Sequence, residues 1–307
     1  MNTYALYNSY FASKLDLVNS VSQYPEKIDF NIKKTNKSPI KSDFEWYKRF
    51  YKNKKPWLSY ALNGSDYGIR FHSLADFRIT SKKKEIVFYK RKTTDTQTLR
   101  HLLVDQVIPL ALSLNNKTLF HSSTVEIGNK AVSFMAPSGS GKSTLAAYFS
   151  TRNHKILTDD TLLIEERDKR IVAYPSYPGI RLWPDNINKI FKNGMRSKKV
   201  SQYNTKRLID KNIKFVIGHG NPLGLRSIYF INVSDHTGVE PLSPTEAFSL
   251  IIRSIFRLDF RNRNINIFQF EFINKILNNV ELYKLNYEKK YESLEKVYSL
   301  VTNNNSK

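Results

Sequence analysis

The segment Ala136-Pro137-Ser138-Gly139-Ser140-Gly141-Lys142-Ser143-Thr144 holds the residue types that phosphate chemistry needs, at the spacing of a Walker A loop. Glycines and small residues let successive backbone N–H groups turn toward one anion. Lys142 can reach the outer phosphates of a nucleotide, and the Ser143 hydroxyl can ligate Mg²⁺. A helix beginning here would aim its positive dipole end at the same anion. Ala136 replaces the first glycine of the pattern, a mild departure, since alanine is confined to ordinary backbone angles. The pattern makes Ser138, Gly139, Ser140, Gly141, Lys142, Ser143 and Thr144 candidate nucleotide contacts, with ATP and Mg²⁺ as the expected ligands.

Asp159 and Asp160 follow the apolar run Ile156-Leu157-Thr158. Adjacent residues at the end of a strand point to opposite sides, so one carboxylate can face a metal and the other a reacting oxygen. Alone, such a pair could equally cap the next element. One helix separates it from the glycine-rich loop, which puts both on the same rim of a sheet, where open α/β sheets bind ligands. His121 ends the strand-like run Lys117–Phe120, and a lone histidine is more often structural. Arg181 lies in a Pro/Gly-rich aromatic segment, Tyr177–Asp185, where it could balance phosphate charge or pair with Asp185.

The elements that must hold these residues follow from periodicity. Ala131–Met135 is a strand before the loop, the chain through Phe149 is a helix after it, and Ile156–Thr158 is the next strand, together a βαβ unit. Leu119–Ile127 is strand-like, with a turn at Gly128-Asn129. Further strands are predicted at 162–164, 170–174, 225–233 and 281–285, and helices at 243–256, 268–277 and 293–302. Ser243 and Pro244 suit the N-cap and first position of their helix. Upstream, residues 1–60 read as irregular, with exposed loops at 33–41 and 52–56. Strands are expected at 68–71, 75–79 and 85–90, and a helix over 98–114 that Pro109 should kink or shorten. This suggests a small α+β domain over 1–115 and an α/β domain over 116–307.

The chain has 307 residues and no cysteine, which excludes disulfides, thiolate nucleophiles and cysteine-ligated metal sites. It is 40% hydrophobic, enough for a sizeable core. No apolar run approaches the roughly 18 residues of a membrane helix, and the N-terminus lacks the pattern of a signal peptide. A soluble cytoplasmic protein without membrane partners is the expectation. Lys and Arg number 49 against 27 Asp and Glu, a net charge of +22. The excess is spread over both halves, with a denser zone of nine basic residues and one acid, Asp210, between Lys189 and Lys214. That zone reads first as a solvated surface. Its thin aromatic content, Phe191 and Tyr203, disfavours nucleic acid as a partner.

His121-Ser122-Ser123, the Walker-type loop soon after, and Leu157-Thr158-Asp159-Asp160 a short interval later resemble, in combination, the C-terminal catalytic domain of HPr kinase/phosphorylase. The likeness spans roughly residues 115–300. It implies a P-loop kinase core of HPr-kinase type, a mixed sheet with flanking helices, that uses ATP and Mg²⁺ to phosphorylate a serine hydroxyl. By the same resemblance Lys142 and Ser143 bind nucleotide and metal. Asp160 is the general base, Asp159 its metal or structural partner, and His121 an active-site residue near the phosphoryl group. The family's Glu-Ile-Arg-Gly-Leu-Gly-like signature is missing, and Tyr174–Asp185 stands in its place without that Glu. This segment, Arg181 included, is similar to HPr-kinase-related proteins encoded with lasso-peptide and other ribosomal-peptide maturation enzymes. It implies a precursor peptide as substrate, phosphorylated at a C-terminal Ser. Two alternatives stay open: a kinase of a small hydroxylated metabolite such as free serine or a sugar, and a non-catalytic, nucleotide-gated binding protein. A homo-oligomer is a further open expectation.

Overall fold

A computed structural model describes residues 1–18, 25–192, 194–218 and 220–306. Contacts divide the chain into two units. One comprises Met1–Asn115 with Val200–Asn204, the other Asn116–Lys199 with Thr205–Lys307. No helix among the described residues is long and apolar enough to cross a membrane.

The first unit is built on β1 (Asn2–Leu6), β2 (Ser9–Ser13), β3 (Phe30–Lys34), β4 (Glu45–Lys52), β5 (Lys55–Asn63), β6 (Asp66–Phe71), β7 (Ala75–Thr80) and β8 (Glu85–Lys90). They form one sheet in the order β1-β2-β3-β8-β7-β6-β5-β4. The irregular reading of residues 1–60 is therefore corrected, because five strands lie there. Their pattern is obscured because β4 is an edge strand, largely exposed on both faces and shifted in register against β5. The expected helix over 98–114 is divided into α1 (Thr96–Leu102), a π-helical turn (Leu103–Val107) and α2 (Ile108–Ser113). Pro109 lacks an N–H, and its ring would crowd the carbonyl four residues back; the widened turn before it makes room. Val200–Asn204 joins this unit through specific bonds. Gln202 N–H donates to Thr98 Oγ1 at 2.8 Å, Gln202 Oε1 accepts from Asp95 N–H at 2.9 Å, and Tyr203 meets Trp57 edge to face. No periodicity in the sequence marks that short segment.

The second unit runs β9 (Thr118–Phe120), β10 (Ser122–Ile127), β11 (Lys130–Met135), α3 (Lys142–Thr151), β12 (Ile156–Thr158), β13 (Leu162–Arg167), β14 (Arg170–Tyr174), β15 (Ile180–Leu182), α4 (Pro184–Ile190), β16 (Lys198–Lys199), β17 (Arg207–Ile209), β18 (Leu223–Val233), β19 (Gly238–Pro241), α5 (Pro244–Ser254), α6 (Arg263–Asn279), β20 (Glu281–Tyr287) and α7 (Ser293–Asn305). The large sheet is mixed, in the order β12-β10-β11-β18-β14-β13-β9, with β20 on β18 and β19 on β20. Strands β11, β18 and β20 are mutually parallel, while β10 runs antiparallel between β11 and β12. Alternation along β11 and β18 sends Val132, Phe134, Tyr229 and Ile231 to one face, with Leu145 and Phe149 of α3 and Val297 of α7. Ala131, Met135, Ile228 and Phe230 go to the other, with Ile251 of α5 and Ile273 of α6.

The predicted single strand over 119–127 is broken. Its halves β9 and β10 join opposite parts of the sheet order, with only His121 between them. The sheet must therefore curl until these parts meet. The β12–β13 connection, Asp159-Asp160-Thr161, crosses the same seam.

Phe149 anchors α3 under the glycine-rich loop. It is fully buried, with ring centres 5.5 Å from Phe134 and 5.0 Å from Tyr298. Phe149→Ala should cost about 3–5 kcal/mol of folding stability, read as a lower urea midpoint.

Candidate active site

Met135 ends β11 in the core, and the chain turns through Ala136–Gly141 into α3. The turn uses left-handed backbone at Gly139 (φ 87°) and Gly141 (φ 104°), which side chains rarely tolerate. Gly141 is the N-cap and supplies no side-chain cap bond. The first-turn N–H groups of the helix thus meet no capping side chain, the condition for anion binding at a helix start. Lys142 opens the helix almost completely buried, its ammonium donating to Ala136 O at 2.6 Å and Pro137 O at 3.2 Å. Burial lowers its pKa to about 8 against the opposing pull of Asp160 and Asp159.

Asp159 is buried at the seam and receives three donors. Ser123 Oγ of β10 reaches its Oδ1 at 2.5 Å, Ser143 Oγ of α3 the same oxygen at 2.8 Å, and the Arg181 backbone N–H of β15 its Oδ2 at 2.9 Å. Burial raises the Asp159 pKa and the neighbouring Asp160 charge adds to this; Arg181 and the hydrogen bonds oppose both. Because Ser143 gives its one hydroxyl proton to Asp159, its oxygen lone pairs remain available to a cation.

Asp160 takes a left-handed conformation (φ 69°), uncommon for a residue with a side chain and one that aspartate tolerates better than most. It turns the chain so that its carboxylate meets Arg181 Nε at 3.6 Å, while its carbonyl meets His121 Nδ1 at 2.8 Å. A carbonyl can only accept, so Nδ1 carries the proton and Nε2 is left as an acceptor. Burial, then the Lys142 charge, lower the His121 pKa and keep the ring neutral near pH 7. The Arg181 guanidinium is buried and lies over the Tyr177 ring at 5.3 Å. Its ion-pair partner is thus Asp160, and the expected alternative of pairing with Asp185 is not what the structure shows.

A cleft of about 260 Å³ is lined by Ser138, Gly139, Gly141, Lys142, Ser143 and Thr144 of the loop and by His121, Asp160 and Arg181. Of the sequence candidates, Ser140 and Asp159 do not line it; Asp159 lies beneath the wall and holds Ser143. The opposite wall went unnoticed in the sequence. Asn186 donates to Thr144 Oγ1 at 2.7 Å and accepts from the Tyr291 hydroxyl. Lys206 sits over the half-exposed Trp183 ring, and Tyr287 closes β20 beside Lys289. The basic–aromatic run Lys289-Lys290-Tyr291 was a visible signal, but its place at the loop depends on β20 lying parallel in the same sheet as β11. Of the dense basic zone 189–214, Lys206 reaches the cleft.

Among solved structures the chain is similar to the Hpr(Ser) kinase/phosphatase from Coxiella burnetii. The identity is 12% and the TM-score 0.32, over 61% of this chain and 96% of that one. The chain matches no protein-family model and no curated protein. The chemistry open to the cleft is set by its own side chains.

No group of three or more His, Cys, Asp or Glu poised for a metal occurs among the described residues. The oxygens of Ser143 and Asp160 at the cleft nonetheless suit Mg²⁺, which keeps several waters and commonly binds through one or two carboxylates and the substrate's phosphates, whereas the Asp159 oxygens expected to ligate it are taken up by protein donors. Ser123→Ala should leave Asp159 one donor short in a buried setting and lower stability by about 2 kcal/mol; denaturant titration against the wild type measures it.

Proposed function

We propose that this chain is an ATP- and Mg²⁺-dependent phosphotransferase that moves the γ-phosphate to a hydroxyl group, the acceptor being a serine of a precursor peptide of the lasso type. The observation that carries the reading is one cleft uniting an anion-ready helix start, a buried lysine, a serine hydroxyl oriented by a carboxylate beneath the wall, and a second carboxylate held by an arginine. The peptide acceptor rests on the sequence resemblance of Tyr174–Asp185 to kinases associated with ribosomal-peptide maturation.

In this reading the Ser138–Thr144 loop would hold ATP, the phosphoryl donor that leaves as ADP, and Ser143 would help hold Mg²⁺, which would offset phosphate charge. Lys142 exchanges two neutral carbonyl partners for phosphate oxygens, a stronger charge-assisted bond. Asp159 keeps Ser143 oriented. Asp160 takes the proton of the acceptor hydroxyl, and Arg181 holds that carboxylate in place. His121, neutral and anchored by Nδ1, presents a fixed ring at the cleft.

Incubation with ATP, Mg²⁺ and candidate precursor peptides should add the mass of one phosphate or more, read by mass spectrometry. Transfer to serine or a sugar but to no peptide would select the metabolite kinase instead, and no transfer to any acceptor would sink the reading. Lys142→Ala should abolish ATP binding in calorimetry. Asp160→Asn should bind ATP as the wild type does while turnover falls by about 10²–10⁴; near-normal turnover would remove Asp160 as the base.

A further inference from the structure

Tyr287 is the last residue of β20 and is only 2% exposed. Its ring belongs to the apolar cluster that also contains Leu145 of α3 and Leu294 of α7. Its hydroxyl points elsewhere. A Cβ placed on Gly141 would stand 2.7 Å from the Tyr287 hydroxyl oxygen, closer than real carbon atoms come. The hydroxyl therefore occupies the space directly over the N-cap of α3. Gly141 is required there twice, for its left-handed φ and for the room it leaves Tyr287.

Among the described residues none hydrogen-bonds this hydroxyl. The hydroxyl is not sealed in the core with the ring, so a ligand entering the cleft can reach it. The residue also lines the cleft, so the donor faces the space that the first-turn N–H groups of α3 face. An anion drawn to those N–H groups would meet the hydroxyl beside them.

We propose that the Tyr287 hydroxyl donates a hydrogen bond to the phosphate held at Ser138–Thr144, completing from β20 the ring of donors that the loop and Lys142 begin. The inference rests on the phosphate-binding reading of the loop. It makes the end of β20 part of the nucleotide site and gives Gly141 a second, steric role.

The test is Tyr287→Phe, which removes one oxygen and keeps the ring. Calorimetric titration with MgADP and with MgATP should give a Kd raised by about tenfold for each, while the thermal midpoint stays level. A purely structural tyrosine would lower the midpoint and leave affinity alone, and that result overturns the inference. Wild type and Lys142→Ala are titrated in parallel. If the wild type binds neither nucleotide, the phosphate-binding reading falls and this inference with it. If the wild type binds, Lys142→Ala loses binding and Tyr287→Phe matches the wild type, the inference falls alone.

Discussion

The second unit turns on one buried carboxylate. Asp159 sits where two strand connections cross the seam of the curled sheet, and burial there works against its negative charge. The charge is tolerable because donors from three separate elements meet it: Ser123 on β10, Ser143 on α3 and the Arg181 backbone on β15. A buried acceptor of this kind demands that its donors arrive together, so it ties the register of β10, the start of α3 and the position of β15 into one arrangement. Loosening any of the three would leave a carboxylate short of partners in the core.

Consequences spread outward from that knot. The next residue, Asp160, takes a left-handed turn, and its carboxylate meets Arg181. The turn also presents the Asp160 carbonyl to His121, which selects the histidine's tautomer. Arg181 serves twice, its backbone on Asp159 and its side chain on Asp160, so β15 couples the two acids. The two neighbouring carboxylates thus sit in different environments, one locked beneath the wall by three donors, the other lining the cleft. Such pairs with divergent environments are where acid–base chemistry concentrates.

The opposite wall depends on sheet order. Strands β11, β18 and β20 run parallel, so their C-terminal ends share a rim, and Tyr287 and the residues just after it face the loop that follows β11. Those residues lie far downstream of the loop in the chain, and nothing in their local pattern refers to it. The same holds for Asn186, which reaches Thr144 from α4. Residues 1–60 show the reverse problem: strands are present, but an exposed, register-shifted edge carries no alternation to read.

The sequence alone determined the glycine-rich loop, its lysine and serine, the flanking strand and helix, and the acid pair one helix later. These are local features: turn geometry, helix capping and short-range periodicity are written in neighbouring residues. The different surroundings of the two aspartates, the seam that brings His121 to Asp160, the partner of Arg181 and the Tyr287 wall were decided by tertiary structure. Each depends on which strands pair across the curled sheet, and long-range pairing follows from how whole faces bury their apolar side chains together rather than from any one segment.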